Sequence, residues 1–144
     1  MLSAVFIAAT PVSAGQSGSD VIESARKSCY DLENGQLSTT DNAISRIDLT
    51  GNGQLDEIVD SCQFTCSTAA SLFQGTGGCL VSIVANKKVT EFIAKGWKVV
   101  TWGKQPILLL AVHGSECGGT NLRRCYRAVV WSDGGFQTTN EKPR

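Results

Sequence analysis

Residues 48–60, DLTGNGQLDEIVD, have the residue types and the spacing of a calcium-binding loop. Such a loop places oxygen ligands at alternate positions of a tightly curved backbone, and a glycine at its sixth position permits the curvature. Gly53 occupies that sixth position here. The alternate positions carry Asp48, Thr50, Asn52, Gln54 through its backbone carbonyl, and Asp56. The stretch therefore predicts a calcium site built from these residues.

The same stretch also predicts that calcium binding is weak. Val59 stands at the twelfth position, where a strong calcium loop has a bidentate glutamate, and only Asp48 and Asp56 bring a formal charge. The dissociation constant that we expect is on the order of millimolar, as in extracellular calcium modules. The alternative is a polar hairpin without an ion, in which Asp48 and Asn52 hydrogen-bond the loop backbone and the loop glycines have positive φ. The sequence leaves both interpretations open.

The even number of cysteines predicts three disulfides. The cysteines are Cys29, Cys62, Cys66, Cys79, Cys117 and Cys125. Cys117 and Cys125 bracket seven residues between two predicted strands, which indicates a hairpin loop closed by a disulfide. Arg123 and Arg124 would then lie together at a rigid tip, where planar guanidinium groups bind a carboxylate or a phosphate well. A solubilising turn is the alternative.

His113 lies close to Ser115 and Glu116 in the chain, and these residue types can serve nucleophilic catalysis. A catalytic triad is defined by its geometry, however, and neighbours this close in sequence rarely supply it. No second acid or base stands out. The sequence therefore does not favour an enzyme, and it predicts no cofactor besides calcium.

The first residues, MLSAVFIAATPVSA, predict a signal peptide over residues 1–14, with a small-residue cleavage site of the A-x-A type at its end. The apolar run over residues 2–9 is too short to span a bilayer, which needs about 20 residues. Residues 15–144 would then form a single secreted domain, and its disulfides require an oxidising compartment, periplasmic or extracellular. The 13 basic and 13 acidic side chains give no net charge, which argues against a nucleic-acid partner.

The spacing of apolar residues predicts one helix followed by short strands. Val21, Ile22, Ala25 and Cys29 recur at helical spacing, which predicts a helix over residues 20–32 capped by Ser19. The stretches predicted as strands are AISRIDLT, QLDEIVDS, CLVSIVA, VTEFIAKG, WKVVTWG, ILLLAVHG, CYRAVVWS and FQTT. We expect VTEFIAKG and WKVVTWG to form a hairpin, and the continuous apolar run ILLLAV to be buried on both faces. The predicted fold class is α+β, with the helix packed on an antiparallel meander of six to eight strands.

The loop, together with the later motifs FQGTGGC, HGSECGG and WSDGGF, resembles a family of small exported bacterial proteins. Its members carry a D-L-N-G-D-G-x-x-D loop followed by C-G-T-G-G-C, and the loop is similar to the calcium loops of FG-GAP and VCBS repeats. The family has no established activity, so the resemblance implies an exported location and a fold. Gln74 stands where the family has the first cysteine of C-G-T-G-G-C. The resemblance therefore implies that Cys66 is the partner of Cys79, which leaves Cys29 and Cys62 as the third pair.

These observations favour a secreted or periplasmic, non-enzymatic binding module for a protein or an anionic envelope component. Residues 61–144 hold ten basic and four acidic side chains, whereas residues 1–60 hold three basic and nine acidic ones. A basic surface formed by the second segment could steer an anionic partner. One alternative is an inhibitor of an envelope hydrolase, with the disulfide-closed loop entering the active site. A small hydrolase using His113 is a further alternative. We predict neither a nucleic-acid partner nor a membrane span.

Overall fold

Helix α1 begins at a capping box. The computed structural model describes residues 15–138, so the predicted signal peptide, residues 1–14, lies outside the described residues. Helix α1 spans Gly18–Tyr30. The Asp20 N–H donates to Ser17 Oγ at 3.3 Å, and the Ser17 N–H donates to Asp20 Oδ2 at 2.8 Å. Because Ser17 rather than Ser19 is the N-cap, the helix begins and ends two residues earlier than predicted.

Eleven strands follow the helix. In chain order they are β1 (Leu37–Thr39), β2 (Ile44–Ile47), β3 (Asp56–Asp60), β4 (Phe64–Cys66), β5 (Gln74–Gly75), β6 (Gly78–Ala85), β7 (Lys88–Ala94), β8 (Gly96–Trp102), β9 (Gln105–Val112), β10 (Cys125–Ser132) and β11 (Gly135–Thr138). All of their pairings are antiparallel. The predicted α+β class is confirmed, but the predicted six to eight strands were too few. The three additional strands, β1, β4 and β5, have only two or three residues and carry little periodic signal.

The longer strands form two sheets. The first sheet contains β2, β3, β6 and β5 in this order, with β7 also paired to β6, and the second has the order β11-β10-β9-β8. Strands β1 and β4 make a separate two-stranded ladder. Two-residue turns with positive φ close the β6–β7 hairpin at Asn86 and Lys87 and the β10–β11 hairpin at Asp133 and Gly134.

The predicted hairpin between VTEFIAKG and WKVVTWG is wrong. Strand β7 pairs with β6, and β8 pairs with β9. Only Lys95 separates β7 from β8, and its N–H donates to the Ala111 carbonyl of β9 at 2.6 Å. A hairpin needs at least two connecting residues, so the chain passes at Lys95 from the first sheet into the second.

Apolar side chains fill two layers. The inner faces of the two sheets enclose one cluster, which includes Ile58, Val81, Ile83, Leu108 and Leu110. A second cluster lies between helix α1, the outer face of β3 and the β1–β4 ladder, and it includes Cys29, Val59, Phe64 and Cys66. The order of layers is therefore helix, first sheet, second sheet.

Strand β9 shows where the prediction of two-sided burial fails. Leu108, Leu110 and Val112 are buried in the cluster between the sheets. Ile107, Leu109 and Ala111 alternate with them and face away, and they are only half-buried. The continuous apolar run thus has one fully buried face rather than two.

The structure joins the six cysteines as Cys29–Cys66, Cys62–Cys79 and Cys117–Cys125. Three disulfides and the Cys117–Cys125 pair are confirmed. The other two predicted pairs, Cys66–Cys79 and Cys29–Cys62, are wrong. Three disulfides in a chain of this size fit an oxidising compartment.

A turn between the two central cysteines explains this connectivity. Asp60 lies opposite Val81 in the β3–β6 ladder, and two further steps in that register bring Cys62 opposite Cys79. A 3-10 turn at Ser61–Gln63 then redirects the chain into β4, where Cys66 is buried against Cys29 of the helix. Cys62 and Cys66 are only four positions apart, but Cys62 is therefore bonded to β6 and Cys66 to the helix.

Candidate functional site

The loop between β2 and β3 is closed by the carboxylate of Asp48. Oδ1 accepts the N–H groups of Gly51 at 2.7 Å and Asn52 at 3.2 Å, and Oδ2 accepts the N–H of Gly53 at 2.8 Å. The hydrogen bond from Gly53, joined by those from Gly51 and Asn52, holds the pKa of Asp48 below its ordinary value of 3.8. Gly51 and Gly53 have φ of 73° and 84°. The predicted polar hairpin geometry is therefore present.

Asp56 and Asn52 complete the loop. Asp56 is 5% exposed, and its Oδ2 accepts the N–H groups of Leu49 at 2.8 Å and Thr50 at 3.0 Å. Asn52 Oδ1 accepts the Gln54 N–H at 2.8 Å. The side-chain oxygens at these predicted ligand positions thus already satisfy the backbone N–H groups of their own loop.

The acidic residues that follow the loop make contacts elsewhere. Glu57 accepts the Gly18 N–H at 2.6 Å and pairs with Arg46 at 3.1 Å. Asp60 accepts hydrogen bonds from the Cys62 N–H and the Trp97 indole N–H. Val59, at the twelfth position, is buried beneath the helix.

The donor set is accordingly poor for a divalent cation. Within residues 15–138, no three side chains of His, Cys, Asp or Glu converge in a way that could hold a metal ion. Asp48 and Asp56 are the acidic members of the predicted ligand set, and each keeps lone pairs beyond its hydrogen bonds to the loop. Calcium binding stays a prediction, and the loop itself is held by hydrogen bonds that need no ion.

The second candidate site is the loop that joins β9 to β10. The disulfide Cys117–Cys125 closes it, with the two Cα atoms 5.9 Å apart. Inside the loop, the Gly119 N–H donates to the Gly114 carbonyl at 2.9 Å and the Arg123 N–H donates to the Thr120 carbonyl at 3.0 Å. Gly114 lies so close to the Thr120 carbonyl that any Cβ there would overlap it. The loop is therefore folded tightly on itself.

Side chains also tie this loop to the rest of the molecule. Asn121 Nδ2 donates to the Thr76 carbonyl at 3.2 Å, and Lys95 Nζ donates to the Asn121 carbonyl at 2.9 Å. Glu116, at the start of the loop, forms an ion pair with Arg127 of β10. These contacts hold the loop on both sides of its outermost residues.

The outermost part of the loop, residues 122–124, is called the tip below. Arg123 and Arg124, both predicted as binding residues, are exposed there. Leu122 beside them is 95% exposed. Leu122 was not among the predicted binding residues, although a leucine inside a polar turn between two cysteines was the available signal. The tip thus combines one apolar side chain with two cations on a cross-linked loop.

His113 caps the 3-10 turn at Gly114–Cys117. The Ser115 N–H donates to His113 Nδ1 at 3.1 Å, and the Ser115 hydroxyl oxygen lies 2.8 Å from the same nitrogen. No carboxylate among the described residues hydrogen-bonds to His113, and Glu116 is paired with Arg127. The third member of a triad is therefore missing from the surroundings of His113.

No helix in the described part of the chain has the length and the apolar character that crossing a bilayer requires. Comparison with known proteins adds no further assignment. No protein-family model, no curated protein and no solved structure matches the chain.

Proposed function

We propose that the protein is an exported, non-enzymatic binding module whose tip contacts another protein or an anionic component of the cell envelope. The observation that carries the proposal is Leu122, which is 95% exposed between two cysteines that lock the loop. Leaving a leucine in water has no benefit for folding, because burial of an apolar side chain is the favourable direction. Burial of this leucine by a partner would recover that free energy.

Two further properties of the tip support binding. Arg123 and Arg124 offer planar donor groups that suit carboxylate or phosphate oxygens. The disulfide, the Asn121 contacts and the internal hydrogen bonds hold the loop before any partner arrives. A preorganised loop loses little conformational entropy on binding, so more of the contact energy appears as affinity. The partner that fits is an apolar pocket rimmed by acidic groups.

The test is co-sedimentation of the purified protein with envelope preparations of the producing cell, before and after protease treatment. We expect binding to the preparation, and the variant Leu122→Ala/Arg123→Ala/Arg124→Ala should bind at least about tenfold more weakly. The matched control is Leu55→Ala/Lys98→Ala/Lys104→Ala, which also removes one exposed leucine and two exposed cations. Loss of binding after protease treatment identifies a protein partner. Equal binding by the two triple variants would contradict the proposal.

An inhibitor of an envelope hydrolase is the second candidate, and the same leucine favours it. A fully exposed apolar side chain on a loop that is fixed on both sides has the shape to enter an enzyme cleft. Assays of glycan-cleaving and peptide-cleaving envelope hydrolases should then show inhibition by the protein. Inhibition should fall strongly with Leu122→Ala and remain with Leu55→Ala. Absence of inhibition would contradict this second candidate.

We also propose that the 48–56 loop binds calcium weakly. The spacing of its oxygen atoms and the carboxylates of Asp48 and Asp56 support this proposal, and the poor donor set sets the expected affinity. Binding raises stability by about 2.7 kcal/mol at roughly a hundredfold excess over Kd. Several millimolar calcium is only a few times the expected Kd and stabilises by about 1 kcal/mol, so the melting temperature should rise modestly there and should not respond to micromolar calcium.

A variant sharpens the calcium test. Thr50→Asp/Asn52→Asp should melt at a lower temperature without calcium, because its new carboxylates repel Asp48. Its melting temperature should rise more than that of the native protein when calcium is added. Magnesium should not produce this rise, because it requires a stricter coordination geometry. If the melting temperature of this double variant did not change at any calcium concentration, a metal site at this loop would be ruled out.

A further inference from the structure

Helix α1 leaves part of the first sheet uncovered and thereby forms a groove. One wall of the groove is the helix face with Val21, Ser24 and Ala25, and its floor is the outer face of β6 and β7. The loop around β5 closes one end, and the volume is about 870 Å³. This volume falls within the range of ligand sites in proteins, which is roughly 300 to 1,000 Å³.

The floor of the groove is a continuous two-strand surface. Leu80 of β6 lies opposite Ile93 of β7, Ser82 lies opposite Glu91, and Val84 lies opposite Val89. Ile93 is 63% exposed, and Leu80 is exposed as well. Sheet faces that meet water normally present polar side chains, so the apolar residues beside the groove indicate a surface that a partner covers.

The charges in the groove have one sign. Asp20 and Glu91 are its charged lining residues, and no lysine or arginine lines it. Asp20 is committed to the helix cap through Ser17. Glu91 is exposed and accepts a hydrogen bond from the Ser82 hydroxyl at 3.4 Å, and no cation of residues 15–138 forms an ion pair with it. The groove is complementary to a positively charged occupant.

Strand β7 borders the groove and has one unpaired edge. Among the described strands it pairs with β6 alone. An exposed strand edge presents backbone N–H and C=O groups that an extended peptide can pair with, and alternate side chains of that peptide then face the same side of the sheet. A peptide added to β7 would place every second side chain on the groove side of the sheet, next to Val89, Glu91 and Ile93.

We propose that this groove binds an extended segment of another protein in which apolar and basic residues alternate at every second position, so that both kinds face the groove. The segment pairs with the free edge of β7, its apolar side chains cover Ile93 and Val89, and a lysine or arginine between them contacts Glu91. This binding surface is separate from the tip, which carries charges of the opposite sign. The proposal therefore does not depend on the function of the tip.

The experiment uses two synthetic probe peptides, Ser-Leu-Ser-Lys-Ser-Leu-Ser and its counterpart with glutamate in place of the lysine, in which the leucines and the charged residue share one face of the strand. Calorimetric titration of the full protein should show binding of the lysine peptide and at least tenfold weaker binding of the glutamate peptide. Backbone amide shifts in the NMR spectrum should change in β6, β7 and helix α1. Shift changes confined to the tip or to the second sheet would overturn the proposal.

Variants of Glu91 test the charge complementarity directly. Glu91→Gln should weaken the lysine peptide by about fivefold, the range of an exposed ion pair. Glu91→Lys should reverse the preference so that the glutamate peptide binds more tightly. Asp133→Asn removes the same charge from an exposed turn of the second sheet and should leave both affinities unchanged. Melting curves establish that each variant is folded, and an unaltered preference in folded Glu91→Lys would refute the proposal.

A second copy of the chain is the other occupant that the experiment detects. If the groove received a neighbouring copy, the free protein would dimerise in analytical ultracentrifugation and Ile93→Lys would make it a monomer. We expect a monomer at the concentrations used for titration. A dimer sensitive to Ile93→Lys would contradict the proposed peptide site.

Discussion

Asp48 and Asp56 hold one loop with different numbers of oxygen atoms. Asp48 uses both carboxylate oxygens to accept N–H groups, whereas both N–H groups at Asp56 go to Oδ2. An asparagine has one acceptor oxygen and replaces the other by a donor. The same substitution should therefore have different consequences at the two positions.

Asp56→Ala should lower the free energy of unfolding by about 2–3 kcal/mol, because it leaves the N–H groups of Leu49 and Thr50 without an acceptor, the first of them buried. Asp56→Asn keeps one oxygen in place for both donors and should cost less than about 1 kcal/mol. Urea unfolding of the two variants measures the difference. Equal losses would mean that these hydrogen bonds do not determine the contribution of Asp56.

Asp48 should make stability depend on pH in the acidic range. Its pKa in the folded protein is lower than 3.8, so the folded state favours the charged carboxylate. The stabilisation is fully present above about pH 4 and is lost as the pH falls through the folded pKa. Asp20, whose pKa is lowered by its hydrogen bonds with Ser17, contributes in the same direction.

Unfolding free energies measured from neutral pH down to acidic pH test this dependence. The native protein should lose stability below about pH 4, and Asp48→Asn should show a shallower loss from a lower starting value. The lower start follows because the amide N–H₂ of asparagine would face a loop N–H group. Parallel pH profiles for the two proteins would contradict the role given to Asp48.

At the scale of elements, strand β9 presents alternate side chains to the two faces of the second sheet. Leu108 is 1% exposed and packs between the sheets, whereas Leu109 is half-buried on the outer face. Leu108→Ala should cost about 3–4 kcal/mol through lost burial and a cavity, and Leu109→Ala should cost about 1 kcal/mol. Thermal unfolding of the two variants measures these losses, and because both variants replace leucine by alanine, the difference reports the environment alone. A larger loss for Leu109→Ala would mean that a covering element protects the outer face.

Local signals in the sequence were sufficient for several elements. The helix follows from apolar spacing, although its cap is Ser17 rather than the predicted Ser19, and the turns at Asn86 and at Asp133–Gly134 contain residues that tolerate positive φ. The choice of partner strand is not local. Strands β7 and β8 read as a hairpin because a glycine lies between their apolar runs, and only the three-dimensional path shows that they belong to different sheets.

The candidate sites likewise combine features that the local sequence predicts with features that depend on three-dimensional packing. The hydrogen bonds of Asp48 and Asn52 were predictable because donors and acceptor lie within a few residues of each other. The tip was predictable in position from two cysteines, but the exposure of Leu122 was not stated in advance. The groove could not be predicted, because its walls come from segments about 60 residues apart that only the packing of α1 on the sheet brings together.

At the scale of the whole molecule, two surfaces of opposite charge share a structural connection. The tip carries Arg123 and Arg124, and the groove carries Asp20 and Glu91. Asn121 of the tip loop donates to the carbonyl of Thr76, and Thr76 also lines the groove. The segment around β5 thus connects the two proposed binding surfaces.

The connectivity Cys29–Cys66 and Cys62–Cys79 has a consequence for how the chain is oxidised, because the two covalent loops interleave along the sequence. A chain that meets an oxidant from its N-terminus presents Cys62 before Cys66, so pairing in order of appearance yields the non-native disulfide Cys29–Cys62. Reaching the native bonds then requires thiol exchange, which is slow without a catalyst. Cells that export the protein without a disulfide isomerase should accumulate a Cys29–Cys62 species, detectable by alkylation and mass spectrometry, and restoring the isomerase should convert it to the native pairs. In the cell, the yield of this protein would then depend on proofreading of its bonds more than on the supply of oxidant.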